Sequence, residues 1–121
     1  MKRVEVYYNL HKHVFSIRSM SGDDRGRVIA HAKEVHLSDV GFVVQPAGRK
    51  RVLNEKRKNV HAFVRGFLLE GGSDKQVDSM TEVTYNPYLF DSFVAKKTGN
   101  PVKKANYAYL CKKSVFADGV E

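Results

Sequence analysis

Five histidines have the widest chemical range of the side chains in this sequence, because imidazole binds metal ions and transfers protons near neutral pH. His11 and His13 form a His-x-His pair, whose rings would point to the same side of a strand. A metal site needs further ligands, and the sequence contains no His-Glu-x-x-His motif, acidic ligand cluster or cysteine pair. We therefore expect neither a bound metal ion nor another cofactor.

A histidine pair beside a basic group is sufficient for metal-independent cleavage of a phosphodiester. His11 or His13, together with His61 and the basic segment 49–58, would supply these groups. The His-x-Ser/Thr motif of two-histidine phosphoesterases is absent, because phenylalanine stands two positions after both His13 and His61. The sequence favours a protein that is not an enzyme, with a nuclease or phosphodiesterase as the alternative.

The segment 49–58 carries six basic residues and one acid, Glu55. Such a surface attracts phosphate groups by releasing counterions, which makes binding salt-dependent. The alternative is a helix face that is simply solvated. The predicted phosphate-binding residues are Arg27, Arg49, Lys50, Arg51, Lys56, Arg57 and Arg65.

Three aromatic residues surround a proline in the segment Tyr85-Asn86-Pro87-Tyr88-Leu89-Phe90. Bases stack on exposed aromatic rings. We predict that Tyr85, Asn86, Tyr88 and Phe90 line a ligand pocket or stack on bases. In the alternative interpretation Tyr85 and Phe90 belong to the core and Tyr88 covers an edge.

The positive charge is concentrated in the first part of the chain. The protein has 21 basic and 13 acidic residues, a net charge of +8. Residues 1–66 contain 14 basic and 6 acidic residues (+8), whereas residues 67–121 contain 7 of each (zero), and every arginine lies in the first part. Because guanidinium groups bind phosphate bidentately and stack on bases, this division predicts a polyanionic partner.

Hydrophobic periodicity predicts several strands before the helix. Residues 3–10 and 13–18 alternate and predict a hairpin that turns at His11-Lys12. Further apolar segments lie at 27–31, 34–37 and 41–45. The first two predict one or two short strands, and the third is either a strand or the approach to a helix.

One helix is predicted over 46–58, since Pro46 suits a first helical turn. The apolar segment 60–70 is the best candidate for a central strand. Residues 81–85 alternate before Asn86-Pro87, where a turn, bulge or edge is expected. A hairpin turning at Gly99-Asn100 and one long strand over 102–116 complete the pattern.

This element order predicts an α+β fold: a mainly antiparallel sheet of about six to seven strands, with a basic helix near 46–58 packed on it. The length of 121 residues predicts a single domain spanning 1–121. Cys111 is the only cysteine, which favours a reducing, cytoplasmic compartment. No apolar stretch approaches the length of a membrane span, so no membrane association is expected.

Four segments of the chain, residues 8–12, 26–31, 59–64 and 85–88, read YNLHK, GRVIAH, NVHAFV and YNPY. In these segments the chain resembles small accessory proteins of tailed bacteriophages. The resemblance implies a binding protein, for example a host-defence antagonist, in the cytoplasm of an infected host cell. The partner would be nucleic acid, a nucleotide messenger, or an acidic or nucleic-acid-binding host protein. A homo-oligomer is left open.

Overall fold

The computed structural model of the protein describes residues 2–56, 60–69 and 79–120. These residues form mainly antiparallel sheet with one helix, as predicted, but with nine strands instead of six to seven. The elements in chain order are β1 (Arg3–Asn9), β2 (Val14–Ser19), β3 (Val28–Ala32), β4 (Glu34–Val44), α1 (Pro46–Glu55), β5 (Ala62–Leu68), β6 (Thr81–Thr84), β7 (Val94–Ala95), β8 (Lys104–Cys111) and β9 (Ser114–Asp118).

All nine strands belong to one sheet in the spatial order β3-β2-β1-β5-β4-β8-β9-β6-β7. The strands that precede residue 69 are the first five neighbours in this order, and those that follow residue 79 are the last four. The β4–β8 ladder is therefore the junction between the two parts of the sheet.

One face of the sheet, here called the inner face, carries the hydrophobic core. Phe15 on β2 and Val83 on β6 belong to the same buried cluster, although five strands lie between β2 and β6 in the sheet. The ammonium group of Lys113 also lies 5.3 Å from the ring centre of Tyr8. The sheet therefore curls, so that β1 and β2 approach β6 and the β8–β9 turn across the inner face.

The predicted opening hairpin is confirmed, with β1 and β2 paired from Val4↔Ser19 to Asn9↔Val14. The Asn9 side-chain oxygen accepts hydrogen bonds from the backbone N–H groups of His11 and Lys12, both at 3.0 Å. An asparagine side chain thus organises this turn. The central strand predicted over 60–70 is also confirmed, because β5 lies between β1 and β4.

β4 is one strand of 11 residues, where the sequence indicated two separate apolar segments. Its pairing with β5 passes from Ser38↔Phe67 to Gly41↔Arg65, so β4 contains one extra residue at this point. Asp39 has a positive φ of 51°. The bulge shifts the alternation by one position, which keeps both Leu37 and Val40 on the inner face.

The single long strand predicted over 102–116 is wrong. β8 and β9 form a hairpin in which Cys111 pairs with Ser114 across a two-residue turn. Lys112 and Lys113 make this turn with φ values of 49° and 70°. Lysine is not a residue that favours positive φ, so composition gave no turn signal here.

The turn predicted at Gly99-Asn100 is present: the Gly99 N–H donates to the Ala95 carbonyl at 2.7 Å. The strand that leads into it, β7, has only two residues and pairs with β6. On the other side of the turn, Pro101 forms a single bridge with Val94. The predicted hairpin is therefore short.

α1 begins at Pro46, as predicted, and ends at Glu55, after which Lys56 adopts a left-handed conformation. Residues 57 and 58 of the predicted helix lie outside the described residues. The Gln45 N–H donates to the His61 carbonyl at 2.7 Å, which places α1 at the end of the sheet where β4 finishes and β5 starts. No described helix is long and apolar enough to cross a membrane.

Candidate functional site

A groove of about 900 Å³ opens beside α1, at the same end of the sheet. Its walls come from the end of β1 and the following turn, from α1, from the start of β5, and from the loop after β6. The residues lining the groove are Tyr7, Tyr8, Asn9, Leu10, His11, Val52, Lys56, Val60, His61, Ala62, Tyr85, Pro87 and Tyr88.

The groove brings together five of the predicted site residues, which lie far apart in the sequence. They are His11, Lys56, His61, Tyr85 and Tyr88. One basic side chain, two histidines and two aromatic rings therefore share a single concave surface. The basic helix and the aromatic loop are separate segments of the sequence, and the fold joins them.

Arg49 attaches the aromatic loop to α1. Its Nε donates to the backbone carbonyl of Phe90 at 2.9 Å and to that of Pro87 at 3.2 Å. The same side chain hydrogen-bonds the Tyr85 hydroxyl. Arg49 was predicted to bind phosphate, and in this structure its Nε is engaged within the protein.

Tyr85 and His61 form the floor of this region. The Tyr85 hydroxyl lies 2.7 Å from His61 Nε2, and the rings meet edge to face with centroids 5.4 Å apart. Burial raises the pKa of Tyr85, although the positive charge of Arg49 opposes this shift. The Tyr85 hydroxyl thus keeps its proton at neutral pH.

The aromatic loop is shaped by Asn86. Its side-chain oxygen accepts from the Tyr88 N–H at 3.0 Å, and its backbone carbonyl accepts from the N–H groups of Leu89 and Phe90. This turn leaves Tyr88 and Leu89 at 60% and 70% exposure. Asn86 and Phe90 do not line the groove; Asn86 makes the turn, and Phe90 provides a carbonyl to Arg49.

The remaining predicted cations are spread over several surfaces. Lys50 and Arg51 are exposed on α1 but do not line the groove, and Arg27 is exposed in the loop before β3. Arg65 lies on β5 with its Nε 2.9 Å from a carboxylate oxygen of Glu5. Arg57 lies outside the described residues.

His13 is separated from the other two candidate histidines. It occupies the β1–β2 turn with a φ of 57°, and its N–H donates to the Asn9 carbonyl at 2.8 Å. The ring is exposed and does not line the groove, whereas His61 is 5% exposed and does. No set of three or more His, Cys, Asp or Glu side chains in the described ranges is arranged to hold a metal ion.

Several groove residues were not predicted as site residues. Tyr7 and Tyr8 were interpreted only as strand residues, although both line the groove. Leu10 and Val60 also line it and are 46% and 47% exposed. A signal existed for Leu10, because an apolar residue directly before a polar turn has no strand partner to cover it.

The arrangement is suited to binding a ligand that has both a planar ring and a negative charge. Tyr88 offers a ring face, and Lys56, directly after α1, offers a cation. The buried hydroxyl–imidazole pair offers polar contacts at the base of the groove.

The chain is similar in sequence to a known bacteriophage protein. The gene 82 protein of Mycobacterium phage L5 is 40% identical over 121 residues, covering 95% of this chain and 94% of the relative. No solved structure matches the chain. The family model described as "Mycobacterium phage L5 gene 82 protein" matches residues 1–118. The chain therefore belongs to the family of the Mycobacterium phage L5 gene 82 protein.

Proposed function

We propose that this protein is a non-catalytic binding protein whose groove engages a ligand combining phosphate with an aromatic base. The ligand would be a nucleotide messenger or a segment of nucleic acid. The observation that carries the proposal is the meeting of Lys56, from the basic helix, with Tyr88, from the aromatic loop, in one groove. In a phage-infected cell, such binding would act in the host cytoplasm by withholding a nucleotide signal or covering nucleic acid, and so counter host defence.

The binding energies of the two contacts favour a ligand that contains both an aromatic base and a phosphate group. Base stacking on an aromatic ring contributes about 1–3 kcal/mol per base. A phosphate beside Lys56 adds a salt-dependent contribution through counterion release. Since residues 1–66 carry the whole net charge of +8, the field around the groove also attracts anions before contact.

The burial and the hydrogen bond of His61 favour binding over catalysis. Its ring is 5% exposed and is hydrogen-bonded to Tyr85 at 2.7 Å. A general acid or base must reach the proton that it transfers. A nuclease or phosphodiesterase using His11 and His61 is the alternative to be tested, because both line the groove.

The exposed apolar side chains in the groove and on the adjoining aromatic loop favour one further candidate function, inhibition of a host protein. Leu10, Val60, Tyr88 and Leu89 are each between 46% and 70% exposed. Exposed apolar side chains that gather at one site are typical of protein interfaces. Basic residues nearby would then speed association with an acidic or nucleic-acid-binding partner.

The decisive experiment measures binding of labelled nucleotides, cyclic dinucleotides, and short DNA and RNA oligonucleotides to purified protein in the presence of a chelator. We expect Tyr88→Ala to weaken binding by about 5- to 150-fold, which corresponds to the loss of one stacked base. Lys56→Glu should weaken binding and make it less sensitive to salt. The matched controls are Leu89→Ala and Lys50→Glu, which change exposed neighbours that do not line the groove.

The same ligands and variants also distinguish the three candidate functions. Binding that is equal for Tyr88→Ala, Lys56→Glu and the unmodified protein would refute the groove proposal. Cleavage that disappears in His61→Ala or His11→Ala would establish the enzyme instead. A host protein that is retained from lysate after nuclease treatment, and is lost with Leu10→Ser, would favour direct inhibition.

A further inference from the structure

The face of the sheet opposite the core, here called the outer face, carries an alternation of arginine and aromatic side chains. On β1 and β5 the paired positions are Arg3↔Phe67 and Glu5↔Arg65. Tyr7 meets Phe63 edge to face, with ring centroids 6.0 Å apart. β5 thus alternates aromatic and basic side chains on this face (Phe63, Arg65 and Phe67), and β1 places Tyr7, Glu5 and Arg3 beside them.

Two guanidinium groups lie against aromatic rings on this face. The Arg18 Cζ is 4.8 Å from the ring centre of Phe63, and the Arg3 Cζ is 5.4 Å from that of Phe67. A guanidinium packed on a ring in this way keeps its second face and its outer N–H groups available. Such a plane can stack with an unpaired base.

Glu5 holds the arginines in place. Its carboxylate is 7% exposed and accepts hydrogen bonds from both Arg18 and Arg65, whose side chains keep 28% and 29% exposure. One buried negative charge is thus shared by two arginines, so the pair retains net positive charge. Because the side chains are already ordered, they lose less conformational entropy when a ligand binds.

This arrangement continues across the sheet as a row. Arg18 pairs with Glu5, Glu5 with Arg65, Arg65 with Gly41, and Gly41 with Lys104. A Cβ added to Gly41 would meet nothing within 4 Å, so this position leaves an open space between Arg65 and Lys104. The row crosses five strands, and four inter-strand spacings correspond to about 19 Å.

We infer that the outer face binds single-stranded nucleic acid along this row. A span of about 19 Å exceeds a single phosphate group and suits a polymeric anion. Arg65 and Lys104 contact phosphates, while Arg3 and Arg18 offer guanidinium planes to unpaired bases. The bases of a duplex are stacked inside the helix and are not available to these planes, so the geometry selects a single strand.

This surface adjoins the groove at Tyr7, but its basic residues are different ones, and the inference does not rest on the groove proposal. Arg3, Arg18, Arg65 and Lys104 do not line the groove. Variants of the groove and of the outer face therefore report on each site separately. Loss of one function leaves the other open to measurement.

The test is fluorescence anisotropy of labelled oligo(dT) strands of 5, 10 and 20 nucleotides, with a 20-base-pair duplex for comparison. We expect affinity to rise with strand length and to fall as salt is added. Lys104→Gln should weaken binding several-fold and reduce the slope of log affinity against log salt by about 0.7, the value for one lost contact with a single strand. Lys97→Gln, an exposed lysine in the turn after β7, is the matched control.

Arg3→Lys separates charge from stacking, because it retains the cation and removes the guanidinium plane. The expected result is weaker binding with an almost unchanged salt slope. Tyr88→Ala, in the groove, should leave the dependence on strand length intact. Absence of oligonucleotide binding, tighter binding of the duplex, or equal behaviour of Lys104→Gln and the unmodified protein would overturn the inference.

Discussion

The role assigned to Arg49 changes once its neighbours in the fold are known. In the sequence it begins a run of cations, and charge alone suggests a phosphate contact. In the fold, its Nε serves two backbone carbonyls of the aromatic loop. The planar guanidinium suits this role, since one side chain can donate to several acceptors in fixed directions.

Replacing Arg49 should therefore affect stability as well as any ligand. We expect Arg49→Ala to lower the free energy of unfolding by about 1.5–3 kcal/mol, the usual range for hydrogen bonds that involve a charged group. Urea denaturation followed by circular dichroism measures this change. Lys50→Ala, next to it on α1 but exposed, should change stability by less than about 0.5 kcal/mol.

Arg49→Lys refines the same prediction. It keeps the charge but cannot reproduce the two-carbonyl contact, so we expect most of the loss to persist. Full stability of Arg49→Lys would show that charge, and not geometry, holds the loop.

Tyr85 gives a prediction about pH. Burial raises its pKa above the ordinary value of 10.0, so the folded protein holds this proton more tightly than the unfolded chain. Its stabilising contribution is complete below about pH 10 and is lost as the pH rises through the folded-state pKa. Between pH 8 and pH 11, the free energy of unfolding should fall more steeply for the unmodified protein than for Tyr85→Phe.

Urea titrations at several pH values measure this difference, and the lysines common to both proteins cancel in the comparison. Parallel pH profiles of the two proteins would contradict the prediction. A tyrosine absorbance titration provides an independent readout, because Tyr85 should ionise later in the folded protein than in urea.

At the scale of residues, type and order singled out His11, Lys56, His61, Tyr85 and Tyr88 as candidates, and the fold places these five residues in one groove. They were insufficient to predict that Lys56 lines the groove and Lys50 does not, or that His11 lines it and His13 does not. Which cation of a helix faces a groove depends on where the helix lies, and that depends on distant residues such as Phe90. The alternation of β1 alone did not indicate that Tyr7 and Tyr8 line the groove.

At the scale of elements, Gly66 explains how β4 and β5 fit together. Gly66 lies on β5 opposite the bulge of β4, and a Cβ there would sit 2.8 Å from the Ser38 carbonyl oxygen and 3.2 Å from Leu37 Cβ. The missing side chain allows the bulged backbone to approach. Gly41, on β4, has no such neighbour within 4 Å.

The two glycines form a matched pair of substitutions. We expect Gly66→Ala to destabilise the protein by about 1–3 kcal/mol, because the added methyl group meets a backbone carbonyl that cannot move freely. Gly41→Ala should be neutral or stabilising by up to about 1 kcal/mol, since alanine has less freedom in the unfolded chain. Thermal denaturation of both variants checks the order, and a smaller loss for Gly66→Ala than for Gly41→Ala would refute it.

Elements were predictable wherever a local signal marked their ends. Pro46 indicated the start of α1, and Gly99-Asn100 indicated a turn. The count of strands was too low because β8 and β9 turn through two lysines with positive φ. That conformation is stabilised by pairing along the two strands, which no single segment of sequence displays.

At the scale of the whole molecule, the uneven charge of the sequence becomes a spatial division. The strands formed before residue 69 are neighbours, as are those formed after residue 79. β1 to β5, which come from the arginine-bearing part of the sequence, thus form one half of the sheet, and β6 to β9, which come from the part without arginine, form the other. Sequence analysis identified the division, but only the strand order shows that the two parts do not intermix.

This polarity should appear in retention on a heparin column. Arg25→Gln with Lys33→Gln removes two exposed charges from the basic side, and Lys97→Gln with Lys112→Gln removes two from the neutral side. Although the net charge falls equally, we expect the first pair to lower the eluting salt concentration more, because the attraction of heparin, a polyanion, should be strongest where the positive charge is concentrated. Equal shifts would mean that heparin responds to total charge alone.

The β4–β8 ladder has a consequence for how quickly the chain folds. Its pairs join Gly41 to Lys104 and Glu34 to Cys111, whereas the β1–β2 and β8–β9 hairpins pair residues that are close in sequence. Closing a long loop costs entropy before any pairing offsets it, and topologies of this kind fold in milliseconds to seconds. The hairpins should form first, and the joining of the two sides of the sheet should limit the rate of folding.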